Sequence, residues 1–189
     1  MPIDAKTQTL INELEQLSKT RDDHWQIPRA EGELLFQIAL VSRAQKIVEL
    51  GTSYGFSGLF WGAAVKQTGG TLHTIDIDQR KFDLSKETFR RAGLDRVIVN
   101  HLGDGMFVAP TIPGPFDIGF VDAFEKKLSQ KYFEMLWPKI RIGGSILVDN
   151  TSTHPDELAD YVRFARSRPD AASTGIPVGN GFEWTVKLS

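Results

Sequence analysis

The chain has 189 residues, a formal net charge of −2, 41% apolar and 24% charged residues, and no cysteine. That composition suits one soluble globular domain with a core of its own. It excludes disulfides and thiolate metal sites, and offers no general attraction for nucleic acid or an anionic membrane.

In chain order, the start MPIDAKTQTL lacks the basic-then-apolar pattern of a signal peptide, and no apolar run is long enough to span a bilayer, so the expected location is the cytoplasm. Leu10, Ile11, Leu14 and Leu17 recur at helical spacing and predict an amphipathic helix. The stretch 21–30 is a connector broken by Pro28, and 31–43 reads as a second helix with Leu34, Leu35, Ile38 and Val41 on one face. From Lys46 onward short apolar runs alternate with helical patterns. The runs are 46–50, 71–77, 96–102, 116–122, 144–150 and 182–188; the helical stretches lie near 57–67, 79–92, 126–137 and 155–168. Alternation of this kind predicts an α/β fold with a mainly parallel, doubly wound sheet and helices on both faces. Residues 110–115 (PTIPGP) read as a loop, and 175–181 (GIPVGNG) as the turn before the last strand, with a hairpin-type Asn-Gly at 180–181.

The informative stretch is VELGTSYGFSG at 48–58. In an open parallel sheet, ligands bind beyond the carboxyl ends of the strands, and this glycine turn lies at such an end. A dinucleotide fingerprint needs G-x-G-x-x-G; here the spacing is Gly51, Gly55, Gly58, with Ser53 where the middle glycine should stand. Glu49 sets a carboxylate beside the turn, which repels a diphosphate and suits a ligand bearing ammonium or sulfonium charge. S-adenosylmethionine is such a ligand, and its own carboxylate would meet backbone N–H groups near Ser57. Ser57 is equally placed to cap the following helix. Asp76, at the end of the second strand, suits ribose hydroxyls, while Asp78 suits the start of the next helix. Asp104, in LGDG, fits either an adenine amino group or a simple turn.

With these pieces in place the sequence resembles the class I S-adenosylmethionine-dependent methyltransferases, and more narrowly the cation-dependent O-methyltransferases of the catechol and caffeoyl-coenzyme A type. The resemblance is carried by 31–58, HTIDID (73–78), RRAGLDRV (90–97), FDIGFVDA (116–123), 132–150 and PVGNGFEWTVK (177–187). It implies one domain, with N-terminal helices in 1–45 and a Rossmann-like core in 46–189 whose seven-stranded sheet ends in an antiparallel strand. It implies cofactor contacts from Glu49, Gly51, Thr52, Ser57 and Asp76, with Ile27, Asp104, Gly105 and Asp122 bordering the cofactor. It also implies a divalent-cation site, for Mg²⁺ or Ca²⁺, from Asp122, Asp149 and Asn150. If the two strands carrying these residues are neighbours, two carboxylates and an amide oxygen converge on one edge, and a hard cation would relieve their repulsion.

Relatives carry a lysine three residues after the first metal aspartate. Here Glu125 stands there, and Lys126 is either its displaced equivalent, acting with Asp122 in catalysis, or part of a solvated helix start. His154 is a helix-start residue or an extra base, Trp25 a pocket cover or a prop for the first helix, and Trp137 core. The implied reaction is methyl transfer to a hydroxyl of a small vicinal dihydroxy, catechol-like acceptor. Alternatives are transfer to RNA or an amine, an NAD-dependent oxidoreductase, and a binding protein without catalysis. The short N-terminal segment leaves the pocket more open than in relatives, or completed by a second copy in a homodimer.

Overall fold

The computed structural model describes residues 2–23 and 25–189. Seven strands form one sheet: β1 (Lys46–Leu50), β2 (Thr71–Asp76), β3 (Ile98–Leu102), β4 (Phe116–Val121), β5 (Ile140–Asp149), β6 (Ala171–Ile176) and β7 (Phe182–Lys187). Their order is β3-β2-β1-β4-β5-β7-β6, and only β7 runs against the rest. The helices are α1 (Ala5–Ser18), α2 (Arg29–Val41), α3 (Phe56–Thr68), α4 (Gln79–Ala92), α5 (Gly105–Val108), α6 (Ser129–Leu136) and α7 (Pro155–Ser167). Among the described residues no helix is long and apolar enough to cross a membrane.

The inner strands β1, β4 and β5 are apolar on both faces, so they feed two cores. In β1, Ile47 packs with α1–α4 residues such as Leu35, Phe60, Trp61 and Phe89, while Val48 and Leu50 pack with α6 and α7 residues such as Phe133, Leu136 and Leu158. Local chemistry sets the helix ends. Asp4 caps α1 by accepting the Thr7 N–H at 3.0 Å, and Asp78 caps α4 by accepting those of Arg80 and Lys81, as the sequence suggested. α2 follows directly on Pro28, whose restricted backbone suits a helix start.

The structure departs from the sequence reading in three places. β6 was not anticipated, because AASTGI has no apolar run: it is an edge strand, with exposed Ala172 and Thr174 between half-buried neighbours. The segment 175–181 is therefore not a simple turn. Its first two residues belong to β6, and a loop at 177–181 joins Ile176 to its partner Phe182, so the Asn-Gly pair does not form a two-residue hairpin turn. β5 begins at Ile140, earlier than the apolar run, with a pairing irregularity against β4 between Phe116 and Ile118. The helix expected over 126–137 is α only from Ser129 to Leu136, with 3₁₀ turns at Lys126–Leu128 and Trp137–Lys139; Trp137 itself is core, as anticipated.

Gly32 decides how closely α2 seats on α3. A Cβ there would lie 2.4 Å from the Phe60 ring. Gly32→Ala should therefore push the helices apart and cost about 1–3 kcal/mol, read as a lower urea midpoint at unchanged slope; an unchanged midpoint would mean that Phe60 yields freely.

Candidate active site

β1 occupies the position where the strand order reverses, the usual place for a ligand crevice in such sheets. Its carboxyl end carries the glycine turn. Gly51 adopts φ +98°, Ser53 φ +47° and Gly55 φ +90°. A Cβ on Gly51 would lie 2.2 Å from the Asp122 carbonyl oxygen, so only glycine permits this approach of the turn to the end of β4.

Two carboxylates hold the turn. Asp76 Oδ2 accepts the backbone N–H groups of Thr52 (3.1 Å) and Ser53 (2.7 Å), and its Oδ1 accepts that of Asp78 (2.9 Å). Glu49 lies beneath, wholly buried. Its Oε1 accepts the Ser57 hydroxyl at 2.7 Å and its Oε2 the Thr74 hydroxyl at 2.6 Å; Thr74 also meets the Thr52 hydroxyl at 2.5 Å. Ser57 thus serves Glu49 and does not cap α3, whose N-cap is Gly55 with no side-chain bond. Burial, only partly offset by the Thr74 and Ser57 hydroxyls and reinforced by the charges of Asp122 and Asp76, pushes the Glu49 carboxyl up to about 7.

The second cluster lies at the ends of β4 and β5. These strands are parallel neighbours, Val121 opposite Val148, which sets Asp122 beside Asp149 and Asn150. Asp122 Oδ1 accepts from Lys126 Nζ at 2.8 Å. Lys126 is therefore not a solvated helix start: the 3₁₀ turn folds it back onto the acid, while Glu125 and Lys127 remain exposed. Asn150 adopts φ +75°, and its Nδ2 donates to the Thr153 hydroxyl at 3.1 Å. That bond turns the amide oxygen the other way. Asn150 Oδ1 and Asp149 Oδ1 are both buried with no hydrogen-bond partner, although buried acceptors are normally satisfied. Burial raises the carboxyls of Asp122 and Asp149, Lys126 opposing the shift in the first and Asp122 and Glu31 adding to it in the second. Two carboxylates and an amide oxygen, two of the three residues offering an unpartnered buried oxygen, are chemically suited to a hard divalent cation. Among the described residues no three His, Asp or Glu side chains form a cation cluster, so such a site needs the amide of Asn150.

The remaining anticipated residues are distributed around these clusters. Ile27 is buried in the core against the α1–α4 layer. Asp104 caps α5, accepting the Met106 N–H at 2.8 Å, and Gly105 faces Leu50 at the end of β1. His154 is the N-cap of α7 without a capping side-chain bond; its Nδ1 meets the Thr153 hydroxyl at 3.1 Å. Trp25 does not prop α1. It is exposed and stacks on exposed Phe124, ring centroids 5.3 Å apart and planes 11° from parallel, with Lys81 Nζ 4.7 Å from its ring centre. The arginines of the basic run 163–168 are paired within the chain: Arg163 with Asp160 on the exposed surface, Arg166 with buried Glu183, and Arg168 with Asp170 against three aromatic rings. Two site residues escaped the sequence reading, Glu31 and Asn180, whose side chains reach Asp149. Glu31 had a readable signal, an acid in line with Leu35 and Ile38 on the apolar face of α2. Asn180 had none beyond its place in a turn.

A family profile described as a methyltransferase domain matches residues 48–151. The chain is 27% identical to an O-methyltransferase, hkm8, of Aspergillus hancockii, over 78% of this chain and 74% of that one. It is 31% identical to a catechol O-methyltransferase of Niastella koreensis, over 64% of this chain and 55% of that one. Seven other curated relatives are matched over 54% to 66% of their own length. Among solved structures, the O-methyltransferase TomG of Streptomyces achromogenes, crystallised with S-adenosylmethionine, superposes with a TM-score of 0.83 at 23% identity, covering 98% of this chain and 91% of that one. At that identity the likeness is one of fold.

The Glu49 environment yields a pH prediction. An unfolded glutamate titrates near 4.5 and the folded one near 7, so between these values the folded state holds more proton. Its contribution to stability is present below pH 4.5 and is lost as pH rises through 7. For this wholly buried group the loss is on the order of 3 kcal/mol at most. Glu49→Gln, in the ligand-free protein, should gain stability relative to wild type from pH 5 to pH 8 in urea unfolding; a constant difference would show that Glu49 does not titrate there.

Proposed function

The chain belongs to the methyltransferase-domain family, and from that premise we propose that it is an S-adenosylmethionine-dependent O-methyltransferase acting, with a divalent cation, on a small vicinal dihydroxy aromatic acceptor. The observation that carries this reading is the junction of the two clusters at Gly51 and Asp122, which sets a cofactor-type turn directly beside an oxygen-rich corner. Relatives named as catechol and caffeoyl-CoA O-methyltransferases support the acceptor class.

In this reading S-adenosylmethionine, when bound, supplies the methyl group on a positively charged sulfur. Glu49 and Asp76 give the turn its negative character and hold its backbone in shape. Asp122, Asp149 and Asn150 would hold Mg²⁺ or Ca²⁺, which when bound supplies Lewis acidity that eases loss of the acceptor's hydroxyl proton. Lys126, on the Asp122 carboxylate, is the side chain placed to take that proton once it is itself neutral. Transfer of that methyl to the acceptor oxygen would leave S-adenosylhomocysteine and release the hydroxyl proton. The Trp25–Phe124 stack offers a flat apolar wall two residues from Asp122, suited to an aromatic ring.

Ser53 in the place of the pyrophosphate glycine disfavours NAD, and the engaged arginines of α7 and its end disfavour RNA. The bond from Lys126 to Asp122 supports an enzyme over a binding protein without catalysis.

Transfer to a vicinal diphenol should stop in EDTA and return with Mg²⁺, while calorimetric binding of S-adenosylhomocysteine persists throughout. Asp149→Ala should reproduce the EDTA result. Full activity in EDTA with no protein-bound metal would overturn the cation site, and absence of S-adenosylhomocysteine binding would overturn the whole reading. Phe124→Ala should raise the KM for the diphenol several-fold, corresponding to roughly 0.5–1.5 kcal/mol of lost ring contact, without changing S-adenosylhomocysteine affinity; an unchanged KM would remove the stack from the acceptor site.

A further inference from the structure

Glu31 is a wholly buried acid on the face of α2 that also carries Leu35 and Ile38. Its Oε2 accepts the backbone N–H of Asn180 at 2.9 Å, and its Oε1 has no hydrogen-bond partner. The loop at 177–181 is shaped to admit it. At Gly179, φ +63°, a Cβ would lie 2.4 Å from Glu31 Oε2 and 2.8 Å from Glu31 Cβ. The side chain of the same Asn180 donates to Asp149 Oδ2 at 3.3 Å, while Asp149 Oδ1 is without a partner. The Glu31 and Asp149 carboxyls lie within hydrogen-bonding reach of one another. The nearby ammonium of Lys126 is bonded to Asp122 instead.

Two buried carboxyls thus face each other within hydrogen-bonding reach, each bonded to Asn180, and when both are ionised each keeps one oxygen without a donor. When ionised, such a pair is unfavourable until positive charge arrives, and local costs of this kind persist where a site requires them. An ordinary structural acid would not be left so. Glu183, equally buried, has both oxygens on Arg166 at 2.8 Å and a further bond from Ser173.

We infer that Glu31 is a positioning residue for the cation site of the preceding section. It adds negative charge beside Asp149, and because it has no proton donor to offer when ionised, it leaves Asp149 Oδ1 free to face the ion. Asn180 holds the other Asp149 oxygen and so sets the angle of the carboxylate. Glu31 acts through Asp149 and does not itself complete a carboxylate cluster. The inference rests on the cation reading and is separable from it by experiment.

The variant Glu31→Gln distinguishes this role from simple anchoring of the loop. A glutamine keeps an acceptor for the Asn180 N–H and adds an amide donor that Asp149 Oδ1 can accept. In EDTA the variant should therefore melt at a higher temperature than wild type. Its affinity for Mn²⁺, read by calorimetry or by the spin-resonance signal of the free ion, should fall about 10- to 100-fold, with S-adenosylhomocysteine affinity unchanged. A lower melting temperature with unchanged Mn²⁺ affinity would overturn the inference and leave Glu31 as a loop anchor. Should Glu31→Gln fail to fold, Asn180→Ala carries the test: it should weaken Mn²⁺ about 10-fold while keeping S-adenosylhomocysteine binding, and unchanged Mn²⁺ affinity there overturns the inference as well. A wild type that binds no Mn²⁺ overturns the cation reading itself, and this inference with it.

Discussion

The contact between the Gly51 backbone and the Asp122 carbonyl is the constraint on which the site depends. Any side chain at 51 would drive a Cβ to 2.2 Å from that oxygen. The Asp122 N–H bonds to Leu50 O and the Gly51 N–H to Ile75 O, each at 2.9 Å, so this one point ties together the ends of β1, β2 and β4 where the strand order reverses. The turn and the acid corner are two sides of one backbone contact. Widening it would separate Glu49 and Asp76 from Asp122, Asp149 and Asn150.

Around that point the fold treats its buried acids in two ways. Glu183, on β7 opposite Val148, is neutralised by a two-pronged guanidinium and by the Ser173 hydroxyl, an arrangement that costs little once its hydrogen bonds are complete. Glu49 is intermediate, bonded to two hydroxyls but to no cation. Asp149 and Glu31, at the edge, are left short of partners. Of these acids, the two that face each other beside Asn180 are the ones left short. This contrast is what a site maintained at the expense of stability should look like, because unmet polar demand becomes binding energy for a complementary charge.

Much of the architecture was legible in the sequence. Continuous apolar runs such as ILV in β5 and the helical spacing of α4 and α7 are local signals, and they located most elements within a few residues. β6 was not legible, since an edge strand needs only one buried face and AASTGI offers small and polar residues that pair through the backbone. The 3₁₀ turn before α6 was not legible either, and it decides whether Lys126 or Glu125 meets Asp122: in that turn the residue four positions after the acid is the one brought back to it.

The sequence by itself determined the alternation of strands and helices, the glycines of the cofactor-type turn and the placing of acids at strand ends. These depend on side-chain size and on backbone preferences a few residues long. Tertiary structure alone decided which acids have partners. Glu31 meets Asn180 only because α2 seats on α3 at Gly32 and because β7 turns back beside β5 to carry its loop across to α2. Whether a buried carboxylate is satisfied or left open depends on donors from segments far apart in the chain, and no local pattern records where those donors will stand.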